Sequence, residues 1–336
     1  SCFNRCPNCH PLPGDEVIGF ITKGFGIILV VLSHTEHWEL MYYTLPFFVP
    51  IFFFCSGYTS SKKAISLNTC FRWQAVKLLK PYLFFSILML LYFHDFSLRA
   101  IGGIFYSRYC LYPFGTEPDI CHLMIVGNYP MWFLTCMVIA YLLYDLLIYY
   151  PKYQYGLIGI YLVVTAGATF LPILLPWSLD TAPLMAVIMF CGMLYRQYKD
   201  KLGKYWAGLS IPLYLLILPL CGDINISVRM YGANMNIYLV AAIIGCIALI
   251  WISTLLEGTL IGKGLVQIGR HSLTIFCIEI PFVLLGKKLA DLILPETPSL
   301  QTAVITSFIQ LTIALAGGYL LSVLLHKNEY IRKIVF

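Results

Sequence analysis

Apolar runs near the ~20 residues needed to cross a bilayer recur along almost the whole chain, and this spacing constrains the fold more than any other feature. Ten can be marked: Val17–Thr35, Phe47–Tyr58, Val76–Phe93, Met131–Tyr149, Leu157–Leu175, Leu184–Tyr195, Leu209–Leu220, Ile237–Leu255, Ser272–Leu285 and Ala303–Leu325. Between them lie polar links with Gly and Pro punctuation, short except for the long outer link Phe93 to Tyr129, and no internal repeat. Hydrophobic residues make up 60% of the 336 and charged residues 11%, which excludes a soluble globular domain. The expectation is an all-α, polytopic transmembrane bundle of about ten helices. It would have a tail at 1–16, a membrane domain over 17–325 and a second tail at 326–336. Residues 1–14 show no charged n-region, apolar h-region or small-residue cleavage site, so they read as a tail rather than a signal peptide.

Charge sets the orientation. With the N-terminus inside, all but five of the 22 Lys and Arg fall on the inner side, leaving Arg99, Arg108, Arg229, Lys287 and Lys288 outside. Both termini are therefore expected in the cytoplasm. The formal net charge of +6 is explained by inner flanks facing anionic lipid, and no nucleic-acid partner is needed.

Within this frame one stretch carries chemistry. The first apolar helix has Lys23 near one end and His34 at the other, about 16 Å apart along an ideal helix and on much the same side. A second run, Pro50-Ile51-Phe52-Phe53-Phe54-Cys55-Ser56-Gly57-Tyr58, precedes a cationic segment with Lys62, Lys63, Arg72, Lys77 and Lys80. Lys77 and Lys80, three apart, share a helix face. Later come Trp132-Phe133-Leu134, and a Gly269-Arg270-His271-Ser272-Leu273 turn leading into a helix that carries Glu279.

These motifs, in this order, resemble the acyltransferase-3 family of integral-membrane O-acyltransferases. Its first helix places Arg or Lys, ten residues, then His, and its second carries an aromatic Pro-to-Ser-Gly-Tyr run. An Arg-x-x-Arg pair follows, answered here by Lys77 and Lys80. The resemblance extends over roughly 19–325, closely in the first third. Two positions depart from it: Phe48 and Glu279 stand where relatives often have histidine.

The resemblance implies an acyl donor, acetyl-coenzyme A or another acyl-coenzyme A, bound from the cytoplasm of a bacterial inner membrane. It also implies a hydroxyl acceptor on a carbohydrate or lipid-linked cell-envelope glycan. His34 is then the general base; histidine is the side chain best suited to accept a proton near neutral pH, although a lone membrane histidine can also be purely structural. Lys23, Arg72, Lys77 and Lys80 are assigned to the donor's phosphates, against the plain alternative of positive-inside flanks. Glu279, an acid midway through a membrane segment, must face a polar cavity or a partner and is placed with the catalytic residues. Ser56, Tyr58 and Trp132 are assigned to the acceptor side, with close helix packing the plain reading of Ser56 and an aromatic belt that of Trp132.

Glu36 and His37 form an acidic rim to a substrate cleft and lack the His-Glu-x-x-His order of a zinc site. Cys2, Cys6, Cys9 and His10 have a spacing able to hold a soft metal, but they stand alone, and no metal is expected. Cys110 and Cys121 are able to pair in an oxidising compartment, while Asp180 and Asp223 read as solvated loop acids. The competing class is a transporter for an acylated or lipid-linked sugar with His34, Asp145 and Glu279 as a proton route. The lack of a two-fold repeat argues against it. A catalytically silent relative is the third reading, kept open by Phe48 and Glu279.

Overall fold

The computed structural model describes residues 13–35, 41–60, 67–113, 122–294 and 300–336, with the side chains of 13, 67–73, 202 and 204–206 outside the description. In chain order the described helices are α1 (Pro13–Ser33), α2 (Pro50–Tyr58), α3 (Leu67–Phe93), α4 (Leu98–Tyr106), α5 (Trp132–Tyr149), α6 (Gln154–Ala168) and α7 (Ala182–Gly208). They continue with α8 (Ser210–Ile217), α9 (Met235–Leu255), α10 (Leu260–Arg270), α11 (Ser272–Ile293), α12 (Leu300–Lys327) and α13 (Glu329–Val335). Two short antiparallel strands, β1 (Ile224–Asn225) and β2 (Met230–Tyr231), make a hairpin between α8 and α9.

Each of the ten apolar segments contains a helix. Among the described residues, six helical stretches are long and apolar enough to cross a membrane: Gly14–Ser33, Gln74–Phe93, Tyr129–Tyr149, Pro176–Lys201, Met235–Leu255 and Leu300–Lys327. Helix α11 is as long as these, but it carries Glu279, Lys287, Lys288 and Asp291. Helix α2 has only nine residues. Upstream of it, turns run back to Met41, whose carbonyl accepts from Thr44 and Leu45 N–H, while Phe47 accepts from Ile51. Pro46 and Pro50 each remove a backbone donor, so this segment is a broken helix rather than a single one.

Helix α1 is the hub. Its start suits a helix: Pro13 opens it, and Asp15 and Glu16 sit in the first turn, where the backbone dipole favours negative charge. Helices α2, α9, α10, α11 and α12 all pack on it. Glycines bring the backbones into contact. A Cβ on Gly24 would lie 2.4 Å from the Leu265 carbonyl oxygen, and one on Gly269 would lie 2.0 Å from that of Phe20, so α1 and α10 touch main chain to main chain. Between α2 and α7 the same device recurs: a Cβ on Gly57 would lie 1.8 Å from the Met189 oxygen, and one on Gly192 2.1 Å from that of Phe54. Where lipid removes the hydrophobic drive between helices, such small-residue contacts hold a bundle together.

Candidate active site

The last turn of α1 tightens. His34 N–H donates to Val31 and Thr35 N–H to Leu32, so His34 sits in a turn just past the helix end rather than on its continuous face. From α11, two residues before Pro281, Glu279 approaches it: His34 Nδ1 lies 2.8 Å from Glu279 Oε1. The carboxylate is wholly buried, while the imidazole keeps 15% of its surface open. The two atoms lie within contact distance without the geometry of an aligned hydrogen bond. His34 Nδ1 and both Glu279 oxygens are buried with no hydrogen-bond partner among the described residues. Unsatisfied polar atoms in an apolar interior are costly, and a polar ligand beside them would lower that cost.

Beside this pair opens a cavity of about 520 Å³. His34, Ser33 and Tyr129 form its polar floor, Phe48, Phe52, Trp132, Phe133 and Phe276 an aromatic belt, and Asp223, Asn225 and Ser227 a polar rim on the hairpin. Tyr129 meets the His34 ring edge-on at 5.2 Å and stacks obliquely on Tyr109 at 5.1 Å. Neither tyrosine had a motif to announce it. Their only signal was proximity in sequence to Trp132 and to the polar outer link.

The other sequence-derived site residues divide by location. Trp132 is buried and lines the cavity, as does Phe48, the position of one departure from the family pattern. Ser56 is buried, its hydroxyl donating to the Phe52 carbonyl one turn back. Tyr58 lies at the opposite end of α1. Its hydroxyl donates to Asp15 at 3.0 Å and accepts from Lys199 at 2.9 Å, and Arg196 closes on the other Asp15 oxygen at 2.9 Å. Lys23 is half-buried with its ammonium 6.0 Å from the Phe20 ring centroid, and Arg270 approaches the same ring at 5.4 Å. Arg270 is thus a further cation beside Lys23, missed because it reads as an ordinary flank. Lys77 is half-buried on α3, and Lys80 donates to the Lys333 carbonyl of α13 at 3.1 Å. Glu36, His37, the Arg72 side chain, the Cys2-Cys6-Cys9-His10 group and Cys121 lie outside the described residues. Among the described residues no three His, Cys, Asp or Glu gather as a metal site.

One expectation is overturned. Asp180 is not a solvated loop acid: it is wholly buried and bound by Arg108 through both oxygens at 2.9 and 3.1 Å, with Arg229 at 3.2 Å. Two cations assigned to the outer face have drawn it inside.

A helical bundle with membrane-crossing helices, and an imidazole that lines a cavity with a buried carboxylate against it, defines an integral-membrane protein with the parts for acid–base chemistry. The chain belongs to the acyltransferase-3 family, whose model, described as an acyltransferase domain, matches residues 21–327. The match takes in both Lys23 and His34 and extends through α12. No curated protein and no solved structure matches the chain. Family membership makes this a membrane acyltransferase.

Proposed function

We propose that the protein moves an acyl group, most simply acetyl, from cytoplasmic acyl-coenzyme A to a hydroxyl of a carbohydrate or cell-envelope glycan, with His34 as general base. The observation that carries this is the contact of buried Glu279 with His34, which itself lines a cavity of about 520 Å³. Glu279 beside Nδ1 holds the ring and leaves Nε2 for the acceptor. The acceptor oxygen attacks the thioester carbonyl as its proton passes to Nε2. The C–S bond then breaks, and the departing thiolate takes that proton from the imidazolium, leaving an ester and free coenzyme A. Glu279 stabilises the imidazolium between these transfers, the part a carboxylate takes beside a catalytic histidine.

Lys23, Arg72, Lys77 and Lys80 are the donor-binding residues of this reading, point charges for phosphates at the inner face. Trp132 and the rim serve the acceptor, as do Glu36, His37 and Ser56, while Tyr58 orders the inner end through Asp15. In this reading the ten apolar segments, carried by 17–325, cross a bacterial inner membrane with both termini cytoplasmic. Supporting that orientation, cations assigned inside, Arg196 and Lys199, gather on Asp15 at the start of α1, while Arg108 and Arg229, assigned outside, gather at the cavity end.

The test is direct. Purified protein in detergent, given acetyl-coenzyme A carrying a labelled acetyl group, should release free thiol and pass label to a sugar hydroxyl. A preparation that is folded and leaves the thioester intact with every hydroxyl acceptor offered would refute the proposal.

A further inference from the structure

Above the cavity lies a second buried charge cluster that the proposed chemistry does not use. Asp180 accepts from Arg108, Arg229, the Leu175 N–H at 3.0 Å and the Thr181 hydroxyl at 3.2 Å. Arg108 also donates to the Ser178 hydroxyl at 2.7 Å, and Arg229 donates to the carbonyls of Leu171 at 2.7 Å and Ile173 at 3.2 Å. Three separate connections are thereby tied together: the one after α4, the one between α6 and α7, and the β1–β2 hairpin.

Two features show that this tie matters to the cavity. First, Arg108 is followed by Tyr109 and Arg229 by Met230, both cavity-lining, and the Arg108 guanidinium lies 5.9 Å from the ring of Trp132, a third wall residue. Second, the backbone is strained here. Of the five non-glycine residues with positive φ among the described residues, four belong to this cluster or adjoin it: Ser107 at 53°, Trp177 at 54°, Ser178 at 57° and Arg229 at 63°. Left-handed conformations at bulky residues persist only where the surroundings over-determine them.

We propose that Arg108, Asp180 and Arg229 are positioning residues that fix the hairpin wall of the cavity, and so decide whether a bulky hydroxyl or water receives the acyl group. This rests on the acyl-transfer reading of the cavity. The cluster touches neither His34 nor Glu279, and it acts through Tyr109, Trp132 and Met230. With the wall held, the acceptor hydroxyl is oriented over His34. With the wall loose, the thioester is still attacked, but by water.

The experiment uses the full chain in detergent with acetyl-coenzyme A as donor and methyl β-D-glucoside as the acceptor probe, comparing wild type with Asp180→Asn and Arg229→Lys. Total thiol release and acetylated glucoside are measured together, and hydrogen exchange is followed by mass spectrometry. The expected result is thiol release within about threefold of wild type and a share of acetyl reaching the sugar that falls roughly 10- to 100-fold, the scale of a small misplacement of a reactant. Exchange across residues 222–234 should quicken by about tenfold while α1 and α11 keep their protection. Where Asp180→Asn does not fold, Arg229→Lys decides, because a lysine keeps the charge and cannot bridge Asp180 and the Leu171 carbonyl together. Unchanged partitioning in a folded variant overturns the proposal. So does parallel loss of thiol release and of protection throughout the chain. Wild type and His34→Ala report separately: no thiol release by folded wild type refutes the acyl-transfer reading, wild-type release by His34→Ala refutes His34 as its base, and exchange at the hairpin still decides whether the cluster holds the wall.

Discussion

Replacing Glu279 by Gln keeps the shape of the side chain and removes its charge, which separates a catalytic role from a structural one. At 2.8 Å the attraction between the carboxylate and an imidazolium is roughly 6 kcal/mol gross at an effective dielectric of about 20. Desolvation of a wholly buried carboxylate offsets part of this, and the loss on removing one partner of such a pair is typically ~3–5 kcal/mol. That penalty applies only while the imidazole is charged, in the interval between taking the proton and giving it up. It therefore falls on the reaction and not on the resting fold: a buried amide beside a neutral ring leaves no orphan charge behind. Glu279→Gln should thus lower turnover roughly 10²- to 10⁴-fold, the rate equivalent of those energies. The melting temperature in detergent should meanwhile stay within a few degrees of wild type. The assay is free-thiol release from acetyl-coenzyme A at saturating donor, paired with a thermal melt of the same sample. Wild-type turnover in the variant would refute the argument, and so would a collapse in thermal stability that accounts for the lost rate.

Removing charge at Lys77 and Lys80 together should raise KM for acetyl-coenzyme A with kcat little changed. The effect should shrink as salt is added, because exposed lysine–phosphate attraction is screened; an equal rise at all ionic strengths would point elsewhere. Gly57→Ala should abolish a monodisperse fold. Its Cβ would fall 1.8 Å from the Met189 carbonyl oxygen, well beyond the overpacking that costs ~1–3 kcal/mol. Gly156→Ala, with nothing within 4 Å, should behave as wild type in the same size-exclusion profile.

What was legible in the sequence was what local pattern carries. Apolar runs announce membrane helices because burial in lipid demands them along their whole length, and each run does contain a helix. Gly57 beside Ser56 announced close packing, since small residues are how membrane helices approach. The break before α2 was less plain. Pro46 and Pro50 shortened the segment, and nothing local showed that turns from Met41 would extend it. Glu279 was suspect from its cost and from standing where relatives often have histidine, yet no spacing rule ties it to His34, because their meeting depends on how α11 packs on α1. Asp180 was misread for the same reason: in sequence it is one acid in a short loop, and only tertiary structure brings Arg108 and Arg229 from distant connections to bury it. The tyrosines of the cavity were hidden among 24 in the chain, with only the nearness of Trp132 and the polar outer link to distinguish them.

The most direct measurement of the central claim is acetyl-coenzyme A turnover by His34→Ala beside wild type, in matched preparations shown to be folded by size exclusion and thermal melt. A positioned base is typically worth ~10²- to 10⁴-fold, so wild type should release thiol and esterify a hydroxyl while the variant falls by that factor. Equal turnover by the two proteins would contradict the assignment of His34 as the base.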